Sequence, residues 1–169
     1  MLSFDLRDLA AQASRVDGEL PESDPIWEEG DARPRGALRV TGRVSAAGPG
    51  RFYFSGHLEG VATAFCRRCL EPVEEPVKAD LHLLLVDGSS DEADEADVYL
   101  IDARERELDL RPAIREEWLL AAPSYMVCSD ACQGLCPSCG ANKNLGACGC
   151  TPAIDPRWHA LSPIGGDAR

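Results

Sequence analysis

The sequence predicts an α+β protein: a mainly antiparallel β-sheet, arranged as a sandwich or partial barrel, with one main helix and a C-terminal cysteine-rich zinc-knuckle segment. Three observations carry this expectation. Stretches between residues 38 and 86 alternate apolar and polar side chains, as half-buried strands require. Residues 108–122 repeat their apolar positions at helical spacing and end at Pro123. Eight cysteines fall in pairs, six of them between residues 128 and 150.

The elements follow in chain order. The opening MLSFDLRDLAAQASRV admits a short strand and then a helical turn, with an ambiguous period. Gly18, Pro21, Pro25, Gly30, Pro34 and Gly36 mark an irregular connection, so residues 1–35 are expected to form an irregular N-terminal segment. A first strand is expected over Leu38–Val44, with a turn at 46–50. A second covers 52–65, with Phe52, Phe54, Leu58, Ala62 and Ala64 on one face and Tyr53, Ser55, His57, Glu59 and Thr63 on the other. Gly56 and Gly60 inside it predict bulges or bends. A third strand covers 73–86, and Pro76 places its start at an edge or bulge. Short connections make consecutive strands antiparallel.

An acidic loop, 87–97, precedes a short strand at 98–101. In the helix 108–122, Asp109 can cap the start, Pro112 is tolerated in the first turn, and Leu110, Ile114, Trp118 and Ala121 mark the buried stripe. The expected organisation is therefore a β core over 36–127, a cysteine-rich zinc-binding module over 128–160 and a tail over 161–169.

Charge narrows the function classes. The net charge is −12; residues 1–35 hold nine acids against four bases, and 87–97 hold six acids and no base. Such a chain does not wrap nucleic acid by bulk electrostatics, because phosphate neutralisation supplies most of that affinity. A loop of like charges is a solvated, extended segment. No run approaches the ~18 apolar residues of a membrane-spanning helix. Asp5, Arg7 and Asp8 among the first leucines are unlike a signal peptide, which makes the expected location cytoplasmic.

In a reducing compartment, clustered cysteines read as metal ligands before they read as disulfides. Cys66-Arg67-Arg68-Cys69 falls at the turn between the second and third strands, and Cys136-Pro137-Ser138-Cys139-Gly140 has knuckle spacing. Tetrahedral zinc takes four ligands at about 2.3 Å, and closely spaced cysteine pairs supply them two at a time. One partition closes a site from Cys136, Cys139, Cys148 and Cys150 alone and brings Cys128 and Cys132 to Cys66 and Cys69. The expected cofactor is one or two structural zinc ions. A dithiol switch at Cys66-Cys69 is the competing reading, though the turn lacks the βαβ setting usual for redox motifs.

His57, His82 and His159 stand alone, Glu116-Glu117 read as the wet face of the helix, and GANKNLG lacks both the preceding strand and the lysine arrangement of a phosphate loop. The expectation is no enzyme, no small-molecule substrate and no membrane partner.

The ordered series of motifs resembles the YceD-like family of bacterial and plastid proteins, the large ribosomal RNA subunit accumulation proteins. It comprises Cys66-Arg67-Arg68-Cys69-Leu70, an acidic stretch, Leu108-Asp109-Leu110 through Glu116-Glu117-Trp118-Leu119-Leu120, and Pro123. Cys128-x3-Cys132-x-Gly134-Leu135-Cys136-Pro137-x-Cys139-Gly140-x-Asn142 follows, then Cys148-Gly149-Cys150 and Asp155-Pro156-Arg157-Trp158. The resemblance covers about 36–160; Lys143 departs from a frequent leucine, and the N-terminal third matches only loosely.

The resemblance implies a role in accumulating 23S ribosomal RNA and assembling the large subunit, with no catalytic residues. The implied partner is the large ribosomal subunit precursor, met through ribosomal protein or rRNA. If RNA is touched directly, Arg39, Arg43, Arg67 and Arg68 are the candidate contacts. The alternative function is a redox- or zinc-responsive regulator that uses the cysteine clusters as a switch.

Overall fold

A computed structural model describes residues 1–88, 98–101, 106–151 and 157. Most of the expected acidic loop and nearly all of the segment after Thr151, including the 161–169 tail, lie outside the described residues. The chain divides into two units, one of Met1–Ala64 with Glu74–Ser124 and one of Phe65–Val73 with Tyr125–Arg169.

In the first unit, β1 (Ser3–Asp5) and α1 (Leu6–Ala11) lead into β2 (Ser14–Pro21), β3 (Ala37–Gly48) and β4 (Arg51–Phe65). Then come β5 (Pro72–Asp87), β6 (Val98–Ile101), β7 (Glu107–Asp109) and α2 (Arg111–Ala121). The last residue of β4 and the first two of β5 belong to the second unit. One sheet has the order β2-β3-β4-β5-β6 and is open at both edges, so it is not a closed barrel. β2–β3 and β3–β4 are antiparallel, with Val16 opposite Gly42 and Gly42 opposite Gly56. β6 departs from the antiparallel expectation: it runs parallel to β5, Leu84 opposite Val98 through Asp87 opposite Ile101. The short-connection rule does not reach a strand that returns only after residue 97. β6 covers β5 from Leu84 onward, which leaves Pro76 on a stretch with no partner on that side among the described residues.

The N-terminal segment is not irregular throughout 1–35. β1 pairs antiparallel with β7, Phe4 opposite Leu108, and β2 pairs with β3 along its whole length. The same pairing corrects the start of the main helix. Leu108 is a buried strand residue, and α2 begins at Arg111 rather than 108. Asp109 still serves the helix start, because its carboxylate accepts the Arg111 N–H at 3.0 Å.

The core side of the sheet follows the alternation. Val16, Leu20, Leu38, Val40, Val44, Phe54 and Leu58 are fully buried, with Ile114 and Trp118 of α2. Among the described residues no polar or charged residue is buried. Gly56 is no bulge: the β3–β4 register runs unbroken from Arg39–Glu59 to Ala46–Phe52 and shifts only between Ala46 and Gly48. The glycine makes room instead, since a Cβ there would sit 2.2 Å from the Thr41 carbonyl and 2.6 Å from the Phe54 ring.

The connection from β2 to β3 is anchored by side chains. Trp27 Nε1 donates to the Pro21 carbonyl at 2.8 Å, and Trp118 Nε1 donates to the Ala32 carbonyl at 2.6 Å. Arg115 of α2 grips Asp31 with two charge-assisted hydrogen bonds of 2.7 and 2.9 Å. That guanidinium holds the Asp31 carboxyl below the usual carboxylate range. A lowered folded value stabilises the protein above the unfolded value of about 3.9, and the contribution fades as pH falls through the folded one. Asp31→Asn should therefore lower the thermal midpoint at neutral pH, with the difference from wild type vanishing in strong acid. A deficit independent of pH would contradict this account.

Candidate metal centres

The cysteine-bearing unit is built on two knuckles of one design. In the first, the Cys66 N–H donates to the Glu71 carbonyl at 2.8 Å, and the Leu70 N–H donates to the Cys66 carbonyl at 2.9 Å. In the second, the Cys136 N–H donates to the Ala141 carbonyl at 2.8 Å, and the Gly140 N–H donates to the Cys136 carbonyl at 2.8 Å. Both turns need a left-handed residue straight after their second cysteine: Leu70 has φ 61° and Gly140 has φ 74°. Leu70 is the non-glycine residue among those described that adopts positive φ, and its side chain is 60% exposed.

A left-handed non-glycine residue costs on the order of 1–2 kcal/mol. Leu70→Gly gives up little burial, so it should stabilise the metal-loaded protein by about 1 kcal/mol, read as a raised denaturation midpoint. A lower midpoint would show that the leucine side chain contributes packing that outweighs its backbone strain.

The structure brings the eight cysteines together as two groups. Cys66, Cys69, Cys128 and Cys132 form one, Cys136, Cys139, Cys148 and Cys150 the other, and in each all four sulfurs lie within 4.8 Å of one another. In the first, Cys66 Sγ is 3.9 Å from Cys132 Sγ, and Cys69 Sγ is 3.6 Å from Cys128 Sγ. Four sulfurs placed about 2.3 Å from a common centre at tetrahedral angles stand ~3.8 Å apart, so the donor set fits a four-coordinate ion. Each tetrad could hold a metal ion with every position filled by protein, which leaves no open position for an activated water.

The backbone readies these thiols to ionise. Burial alone would raise the Cys66 thiol, but the N–H groups of Cys69, Cys128 and Arg68 donate to its sulfur and bring it down to about 6. At Cys136 the N–H groups of Cys139 and Ser138 do the same, again to about 6. Four thiolates so close repel one another in the absence of a cation. Accordingly Cys139 and Cys148 push the Cys150 thiol up to about 11. At Cys69 the Glu71 N–H pulls downward, but burial and the neighbouring thiols carry it up to about 12. A divalent ion removes that conflict by replacing the protons.

Residues beyond the cysteines complete the first centre. Arg68 donates to the carbonyls of Asp130 at 2.9 Å and Cys132 at 3.2 Å. Gly134, at φ 68°, lets the chain pass the Arg68 carbonyl, which a Cβ there would approach to 2.9 Å. Asn144 accepts the Gln133 N–H at 2.8 Å and donates to Cys132 Sγ at 3.4 Å. Asn142 caps the 3₁₀ turn Lys143–Leu145 by accepting the Asn144 N–H. Sequence reasoning assigned none of these side chains to the centre. Only the asparagines carried a local signal, their preference for capping turns.

The four candidate RNA-contacting arginines separate. Arg39 and Arg43 lie on the solvent face of β3 in the first unit, and Arg67 and Arg68 lie in the first knuckle. Arg68 is occupied by the carbonyls it braces.

An open sheet with one packed helix, and a second unit carrying two four-cysteine nests on twin knuckles, defines a candidate two-site metal-binding β protein. A family model described as large ribosomal RNA subunit accumulation protein YceD matches residues 54–164. That is well over half of the chain, and it takes in α2 and both knuckles; the chain belongs to the YceD family. It is similar to a maize (Zea mays) protein named large ribosomal RNA subunit accumulation protein YCED homolog 1, chloroplastic, with 28% identity over 191 residues. The match covers 95% of this chain but only 64% of the maize protein, so the chain spans less than two thirds of that relative. No solved structure matches the chain. Among the described residues no helix is long and apolar enough to cross a membrane.

Proposed function

We propose that this protein is a non-enzymatic ribosome-biogenesis factor of the cytoplasm that supports accumulation of 23S ribosomal RNA and assembly of the large subunit. The observation that carries this reading is the family match spanning both knuckles and α2. Each tetrad holds one structural zinc ion: an all-cysteine set at tetrahedral sulfur spacing suits that soft, closed coordination. Bound zinc supplies cross-linking and charge compensation, while the chain's own residues position its ligands and present the surface that meets the precursor particle, with no small-molecule substrate. Depletion of the protein should lower 23S relative to 16S rRNA, and the tagged protein should co-sediment with large-subunit precursors. An unchanged ratio together with free sedimentation would overturn the proposal.

One observation favours a second, regulatory reading. Three of the four cysteines in the second tetrad are exposed, whereas three of four in the first are buried. Chelator challenge should release the two ions in two phases at least about tenfold apart. The fast phase should be absent from Cys148→Ser/Cys150→Ser. Fast loss under mild oxidant with disulfide formation supports a switch; retention of both ions supports purely structural zinc.

A further inference from the structure

The solvent face of the five-stranded sheet is organised in cross-strand rows whose charges differ sharply. In one row Glu19 faces Arg39, Arg39 faces Glu59, and Lys78 donates to Glu59 at 2.9 Å, so cations and carboxylates alternate. In the next, Asp17 faces Thr41, Thr41 faces His57, and His57 Nδ1 lies 2.6 Å from Asp80 Oδ1. Among the described residues the third row has no carboxylate. Arg15 faces Arg43, Arg43 faces Ser55, and the Ser55 hydroxyl lies 3.4 Å from His82 Nδ1.

Two like charges directly opposite on paired strands destabilise a sheet. Arg15 pairs with Asp17, one row away at a marginal 4.0 Å and half exposed, and shares a groove on its other side with Asp5 and Asp8, while its side chain is 84% exposed. A groove of about 380 Å³ is lined by Ala13, Arg15, Gly42 and Arg43. Beside it Tyr53, 39% exposed and diagonal to Arg43, stacks on His82 with ring centroids 6.3 Å apart and planes 14° from parallel. The Tyr53 hydroxyl lies 2.9 Å from His82 Nδ1, which fixes the pair as a flat platform.

We propose that this corner of the sheet binds single-stranded RNA, Arg15 and Arg43 clamping a backbone phosphate and the Tyr53–His82 platform stacking the adjoining base. The proposal deepens the ribosome-biogenesis reading and rests on it for the polymer's identity. Charge complementarity selects the ligand: an anion between two facing guanidiniums relieves the repulsion, and arginine forks match phosphate oxygens bidentately. The ring platform selects unpaired bases, whose faces are open, over a duplex, whose faces are not. The acids of the two neighbouring rows confine the strand to this row and the Tyr53 side of it. Arg39, already between two glutamates, is not a contact.

The test is fluorescence anisotropy of the metal-loaded, full-length protein with an end-labelled single-stranded RNA of mixed sequence, across a salt series. Wild type should bind with a shallow slope, log K falling by roughly 0.7 per decade of salt for one phosphate. Arg15→Gln/Arg43→Gln should weaken binding at least about tenfold, Tyr53→Leu about fivefold or more, and Arg39→Gln by less than about twofold. Since the double variant removes a repulsion, its thermal midpoint should equal or exceed that of wild type, which guards against misfolding as the cause.

Equal binding by wild type and the double variant overturns the proposal, as does equally tight binding of duplex RNA. If wild type fails to bind the RNA yet travels with large-subunit particles, the RNA contact is wrong and the biogenesis reading stands; loss of both sinks that reading as well. A double variant that keeps RNA affinity but leaves the particle overturns the proposal in favour of an acidic protein segment at the same corner.

Discussion

Replacing Cys66 and Cys69 together by serine should cost one metal ion per chain and unfold the cysteine-bearing unit. Among its described residues few apolar side chains hold the unit, Met126 and Cys136 being buried besides the cluster around the first tetrad. Its buried cluster consists of Cys66, Cys69 and Cys132, packed by half-buried Val73, Val127 and Leu135. Met126 and three aliphatic side chains buried at ~1.5–3 kcal/mol each do not offset the ordering of some thirty residues. Structural zinc contributes apparent binding energies on the order of 10–16 kcal/mol, comparable with the whole stability of an ordinary domain. The knuckle also carries the Arg68 guanidinium that braces Asp130 and Cys132, so its loss frees the 128–135 segment as well. Metal analysis should fall from about two ions to one, and limited proteolysis should open cleavage sites after Ser124. A variant that keeps two ions, or resists protease as wild type does, would refute the assignment.

The largest effect expected in the first unit is that of Trp118→Ala. Trp118 is fully buried, donates to the Ala32 carbonyl, and lies so close to Gly60 that a Cβ there would be 2.9 Å from its ring. Truncation leaves a cavity, about 3–5 kcal/mol for a buried tryptophan, and strips the Ala32 carbonyl of its donor, about 1–3 kcal/mol more. The sum approaches the total stability of a small domain, so the variant should be unfolded or nearly so at 37 °C. Gly60→Ala should also destabilise, and less in a Trp118→Phe background than alone, because the added methyl meets the Trp118 ring at 2.9 Å, though its 2.5 Å approach to Leu38 Cδ2 remains. Additive effects in that double-mutant cycle would mean that the glycine does not serve the tryptophan.

Several parts of this architecture were legible in residue order. β3, β4 and β5 carry the period-two alternation that a half-buried sheet imposes, and Leu110, Ile114 and Trp118 carry the helical one. What could not be read is non-local. Leu108 looks like the first apolar residue of a helix; only its pairing with Phe4, more than a hundred residues away, makes it a strand residue. The parallel course of β6 has no local signature at all. At the candidate centres the cysteine spacing was informative, because ligands for one ion must come in close pairs. The likeness of the two knuckles was hidden because Leu70 stands where its counterpart is Gly140, so the shared left-handed turn is invisible in residue type. Arg68 read as a surface cation because its acceptors are carbonyls, which the sequence does not display.

The separation of the ligands along the chain sets an order of events during synthesis. Cys69 and Cys128 lie 59 residues apart. At ~5–20 residues per second, the ribosome takes roughly 3–12 s to cover that span. For those seconds the first knuckle offers an ion only two of its four ligands. Residues 136–150 supply the whole second tetrad within about 1–3 s of translation at the same rate. The buried centre thus waits half-made for its partners, while the exposed one closes almost as soon as it emerges.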